Sequence, residues 1–176
     1  MMARFLDFSS EVADATVFTL LGTGQAEEYL STVTGIVGEA VLNELLDAWD
    51  RVRGEPDDLR EKSLRHQIFG DEKLGPIARN IVRLWYIGIW SELPRAWTES
   101  FGALDKNVGF MVSAAAYTEG LLWPAIGASP PGAKAPGYGS WAQPPRIPSF
   151  ENKLSDLYPD VHSEGPDVHL EGIVKR

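Results

Sequence analysis

LGPIARNIVRLWYIGIWSEL, residues 74–93, carries the strongest structural signal in the chain. Pro76 suits the first turn of a helix, where its missing N–H has no partner to lose and its φ is already helical. Pro94 sets the other end, because the residue before a proline is pushed out of the α region. Between them Ile77, Ile81, Leu84 with Trp85, and Gly88 recur at helical spacing. Ala78, Val82, Tyr86 and Ile89 widen that face until only Arg79, Asn80, Arg83 and the Ser91–Glu92 end are plainly polar. A helix apolar nearly all round belongs in the middle of a bundle. Its unbroken apolar run, residues 84–90, falls far short of the roughly 20 residues of a membrane span. Burying Trp85 and Trp90 contributes roughly 1.5–3 kcal/mol each. Gly88 costs about 1 kcal/mol against Ala in a helix, which points to close approach of another helix there.

Working outward on the N-terminal side, the chain reads as successive helices. Residues 4–13 have Phe5, Leu6 and Phe8 as anchors. Asp14 is placed to cap a short turn through Val17, Phe18, Leu20 and Leu21, which ends at Gly22-Thr23-Gly24. A dinucleotide fingerprint would need a third glycine where Glu27 stands, and no βαβ alternation surrounds it, so a helix stop is the default. Residues 25–37 and 39–53 form two helices separated by Gly38, the second closed by Arg51, Arg53 and Gly54. Pro56 opens another, with Asp57 and Asp58 in a first turn that favours negative charge, and Gly70 ends it.

On the C-terminal side, residues 95–106 are amphipathic around Trp97, Phe101 and Leu104. The apolar run 108–112 fits a strand or a helix start, and the helix start is preferred because nothing nearby is placed to pair with it. Ser113 caps a helix over 114–122. From Gly127 the composition turns to proline and glycine, ASPPGAKAPGYGSWAQPPRIP, which forbids a helix. Tyr138 and Trp141 interrupt it as docking anchors. The expectation is an all-α bundle of about six helices over residues 1–127. A Pro/Gly-rich arm follows at 128–148, then a weakly apolar tail at 149–176.

The 176 residues carry a formal net charge of -9, which disfavours nucleic acid and anionic lipid as partners. Zero cysteines exclude disulfides, thiolate metal sites and a cysteine nucleophile. MMARFLDFSSEV offers one arginine, no apolar core segment and no small-residue cleavage site, so no signal peptide is read in it. His66 has no second ligand at i+4, and His162 and His169 lie in the tail among Asp160, Glu164, Asp167 and Glu171. A metal site needs more rigid support than that. Ser9, Ser10, Ser100 and Ser113 lack a nucleophile elbow. Arg83 and Glu119 sit in otherwise apolar helices, where such groups pair within the fold or across an interface. Six tryptophans are many for this length and suit binding surfaces as well as cores. The residues offer surfaces but no reaction centre.

Two stretches together resemble a family. LWYIGIW at 84–90 and AYTEGLLWPAIGASPPGAKAPGYGSWAQPP at 116–145 look like the small subunit of bacterial membrane-bound FAD-dependent sorbitol and fructose dehydrogenases. LLGTG at 20–24, with Tyr29 after it, is similar to the family's N-terminal part. The resemblance covers most of residues 5–145. It implies a complex on the periplasmic side of the inner membrane, reached by this chain only indirectly. A large flavoprotein holds the FAD and oxidises the sugar or polyol, and a multihaem cytochrome c passes electrons on to quinone. The small subunit binds no cofactor and supports folding, stability and export of the flavoprotein. Residues expected to face the partner are Trp85, Trp90, Glu119, Trp123, Pro131, Tyr138 and Trp141. Small subunits of this kind commonly carry a twin-arginine signal, which this chain departs from, and residues beyond Pro148 exceed the family pattern. The alternatives are a free-standing helical chaperone or adaptor with another client, and an enzyme with a pocket around Arg83 and Glu119.

Overall fold

The computed structural model describes residues 1–103, 107–131 and 133–134. They build an all-α fold, and among them the sole strands are two of two residues each. The N-terminal part comprises α1 (Met2–Ala13), α2 (Val17–Gly22), α3 (Ala26–Val37), α4 (Glu39–Val52), α5 (Asp57–Ser63) and α6 (Leu74–Ile87). α1 packs on α6, α3 and α4, and α3 also meets α6. Trp85 lies at the centre of this packing. Its ring is 4.9 Å from Tyr29, edge-on, and 6.3 Å from Phe5. Such aromatic pairs contribute beyond the area they bury.

Polar contacts fix the rim of the same packing. Asp7 of α1 accepts hydrogen bonds from Trp49 Nε1 at 2.7 Å and from Arg53 at 2.9 Å. Arg4 pairs with Asp47 and Asp50 of α4. Its pKa is pushed up, first by the hydrogen bond to Asp47 and, against the effect of burial, by Asp50. The Tyr86 hydroxyl donates to the carbonyl of Ala13 at 3.2 Å and closes the end of α1 against α6.

The local signals at Gly38, Pro56 and Gly70 coincide with element ends. Three local expectations are corrected. Asp14 does not start α2; it ends α1 in the left-handed region at φ 49°, and Thr16 is the cap of α2, its Oγ1 accepting from the Thr19 amide at 3.1 Å. The helix expected up to Gly70 changes pitch at Leu64, where residues Leu64–Phe69 are π-helical and the Gly70 amide reaches back to Arg65 O at 2.7 Å. Asn80, expected on the polar strip, is 2% exposed.

The largest correction concerns the end of α6. The helix stops at Ile87, and Gly88 caps it in the left-handed conformation, φ 67° and ψ 20°. The close approach expected at Gly88 is present: a Cβ there would sit 2.6 Å from the Ala116 carbonyl carbon. Beyond Gly88 the chain extends as β1 (Ile89–Trp90), passes through α7 (Arg95–Phe101), and returns as β2 (Phe110–Met111). The strands pair antiparallel, Ile89 opposite Met111 and Trp90 opposite Phe110. The run 108–112 therefore holds a strand and not a helix start; its pairing partner is the segment that Pro94 and Gly88 together release from α6.

Two asparagine side chains complete this ribbon. Asn80 donates Nδ2–H to Ser91 O and accepts from the Ser91 amide, both at 2.9 Å. Asn107 accepts from the Leu93 amide at 2.8 Å and donates to Thr98 Oγ1 at 3.2 Å. Side-chain amides thus supply the partners that a longer sheet would give the backbone of Ser91 and Leu93.

The helix expected over 114–122 is two pieces, α8 (Ala114–Thr118) and α9 (Leu122–Ala125). Ser113 caps α8 as expected, accepting from the Ala116 amide at 3.1 Å. The turn between them is bound to α6 by the Leu121 amide, which donates to Trp85 O at 3.0 Å.

Candidate functional site

Short α2 and the α8–α9 turn face each other across a cavity of about 350 Å³. The α2 side begins at the Thr16 cap and ends at Thr23, whose Oγ1 donates to Leu20 O at 2.7 Å and accepts from the Gln25 amide at 3.2 Å. Gly22-Thr23-Gly24 is therefore a hydroxyl-sealed helix stop. The opposite wall is Thr118, Glu119, Gly120, Leu121, Trp123 and Pro124, and Lys134 comes in over the top with Ser129 and Pro130. Trp123 is fixed by an edge-on contact with Tyr117 at 5.1 Å and by its indole N–H donating to Tyr117 O at 2.7 Å. Lys134 Nζ is 2.7 Å from Glu119 Oε2 and pins the last described residue to this wall.

The outside of α2 is apolar. Phe18 is 86% exposed, Leu21 53% and Val17 38%, while Leu20 alone of the helix is fully buried. Solvent-facing apolar groups side by side mark a surface that something covers. Periodicity singled out these residues without saying which would face outward. A usable signal was present, for residues 15–25 hold no charged side chain in a chain of net charge -9.

Of the residues expected to face a partner, Glu119 and Trp123 line this cavity, and Pro131 lies close by in sequence. Trp85 and Trp90 do not face outward. They are 1% and 0% exposed, and their indole N–H groups find no acceptor among the described residues. Both are core side chains, and Trp85 packs against Phe5 of α1 and Tyr29 of α3. Tyr138 and Trp141 lie outside the described residues. Arg83 is exposed and does not line the cavity with Glu119, so the two do not form the pocket an enzyme reading requires.

Among the described residues no group of three His, Asp or Glu side chains is placed to hold a metal ion. His66 is exposed. No described helix is long and apolar enough to cross a membrane. The Tyr29 phenol is pushed clearly above its ordinary pKa, by burial first and by the charge of Glu28 second. Glu28 accepts from Ser113 Oγ at 3.0 Å, so the cap of α8 is tied to the start of α3. The arrangement offers an apolar wall at α2 and one charged pair, Glu119 with Lys134, at the cavity. Against known proteins, no family model, no curated protein and no solved structure matches the chain.

Proposed function

We propose that this chain is the non-catalytic small subunit of a FAD-dependent sugar or polyol dehydrogenase complex, acting on the periplasmic side of the inner membrane. In this role it supports folding, stability and export of the large flavoprotein, which carries the FAD, alongside a multihaem cytochrome c. The bundle serves as a scaffold, and residues 130–145 lie along the large subunit with Tyr138 and Trp141 as anchors.

The observation that carries the reading is the meeting of the two resembling stretches. Residues 84–90 and 116–131 are far apart in sequence, yet Ala116 packs on Gly88 and the Leu121 amide bonds to Trp85 O. The two stretches that carry the resemblance thus form one contact, and the second runs on in sequence into residues 130–145.

The test is a pull-down of the tagged chain from its native cells, with a visible spectrum of the eluate. Co-elution of a large subunit with flavin absorbance and sugar-dependent dye reduction is the expected result. A colourless, single-chain eluate from both soluble and membrane fractions would overturn the reading. Trp141→Ala is expected to lower the yield of complex while leaving the helical circular dichroism and unfolding midpoint of the chain unchanged. Binding to unfolded proteins without a stoichiometric complex would instead identify a free-standing chaperone or adaptor.

A further inference from the structure

Phe18 is 86% exposed and is the chain neighbour of Thr19, which lines the cavity between α2 and the α8–α9 turn. It also lies four residues before Gly22, another lining residue, so helical geometry sets its ring one turn along the same side of α2. A protruding ring and a hole of about 350 Å³ therefore share one face of the molecule. Thr19, Gly22, Pro124 and Lys134 at the cavity are exposed, so it opens to solvent. Buried Leu121, Trp123 and Pro130 make its inner wall apolar. An apolar cavity of about 150 Å³ already accepts a benzene ring, so a phenyl group is within the capacity of this one.

Charge points to a second copy of this chain as the source of that ring. Residues 15–25 carry no charge, and Glu119, the one carboxylate lining the cavity, is paired with Lys134 at 2.7 Å. The whole chain bears a net charge of -9, so two copies repel over most other approaches and meet no unpaired charge here. Two phenyl rings entering two cavities bury roughly 300–500 Å² of ring surface and cover a comparable area of wall. With Val17 and Leu21 added, the total lies near the lower end of stable protein interfaces, roughly 1,200 Å², which suits a reversible dimer.

We propose that the free chain forms a two-fold dimer in which Phe18 of each copy enters the cavity of the other, against Gly22 and Trp123. One patch supplies both knob and hole, as a two-fold contact requires, and each cavity is filled only by the other copy's ring. This concerns the free chain and stands whether or not the accessory-subunit reading holds.

The experiment is sedimentation of the full chain from micromolar to millimolar concentration, where a monomer–dimer equilibrium is expected. Phe18→Ser removes the knob from an exposed position, and Gly22→Leu fills the hole from a site with nothing within 4 Å of its Cβ position. Each variant is expected to weaken dimerisation about a hundredfold or more, with unchanged helical circular dichroism, because each prevents the burial of two rings. The two variants are then labelled differently and mixed. Phe18→Ser keeps the hole and Gly22→Leu keeps the knob, so the mixed pair regains one of the two contacts. It is expected to associate about tenfold or more tighter than either variant does with itself. A chain that stays monomeric throughout, or a dimer indifferent to both variants, would overturn the proposal. A mixed pair no tighter than its components would overturn it as well, and would assign the dimer to α2 faces stacked flat.

Discussion

Gly88 is the position at which a single methyl group tests the architecture. Gly88→Ala meets two penalties that the structure separates. The first is conformational, since φ 67° belongs to the region L-residues avoid, at about 1–2 kcal/mol. The second is steric, because the new Cβ would stand 2.6 Å from Ala116 C and 2.8 Å from Ala116 O, both backbone atoms that cannot rotate aside. Overpacking of that kind costs typically 1–3 kcal/mol. Gly24→Ala isolates the first term, for Gly24 has φ 70° and nothing within 4 Å of its Cβ position. The expected losses are about 1 kcal/mol for Gly24→Ala and about 2–4 kcal/mol for Gly88→Ala, after the small gain from a stiffer unfolded chain. For a domain of this size the latter corresponds to a Tm lowered by roughly 4–16 °C. Urea unfolding followed by tryptophan fluorescence and circular dichroism measures both variants. Equal losses in the two would show that α8 does not press on the end of α6, and the account of how α6 ends would fail.

Three further outcomes are expected. Asn80→Ala removes both hydrogen bonds to Ser91 from a buried position and is expected to cost about 2–3 kcal/mol in urea unfolding; a loss under 0.5 kcal/mol would mean that the ribbon holds Ser91 without it. Asp7→Ala leaves the Trp49 indole N–H without its acceptor and should cost about 1–2 kcal/mol, while Asp7→Asn, which keeps an acceptor oxygen, should cost less in the same assay. Tyr29, whose phenol is raised above its usual range, stabilises the fold fully below the ordinary tyrosine pKa of about 10 and loses that contribution as pH rises further, since the unfolded chain then gives up the proton first. An ultraviolet titration is expected to show a late-ionising phenol that is lost in Tyr29→Phe.

The helix boundaries marked by single residues with fixed backbone roles were legible in sequence. Gly38, Pro56 and Gly70 act through their own φ angles or missing groups, so no distant contact is needed to interpret them. Gly88 was legible only in half. Its close approach was expected, but its role as a left-handed stop was hidden by Ile89 and Trp90, which continue an apolar helical pattern while in fact pairing with a segment twenty residues on. Two-residue strands show no alternation, so Phe110 and Met111 gave no signal of their own. Asn80 looked like surface because its partner, Ser91, lies in the ribbon that the sequence did not reveal. The candidate site was legible as a list of aromatic residues but not as a place. Whether Trp85 or Phe18 faces water depends on which elements pack over it, and a six-residue helix such as α2 has too few turns to declare its inner side.

The contact between Tyr86 and Ala13 spans 73 residues, and Trp85 beside it joins α1 to the rest of the core. During synthesis α1 can meet α3 and α4 first, but Phe5 and the end of α1 at Ala13 wait for Trp85 and Tyr86 until α6 has emerged. At about 5–20 residues per second the gap lasts roughly 4–15 s, long compared with the microseconds in which a helix forms. Throughout that interval Phe5 lacks the Trp85 ring, while Phe8 can already pack on Trp49 of α4, so the nascent α1 is covered on one side before the other.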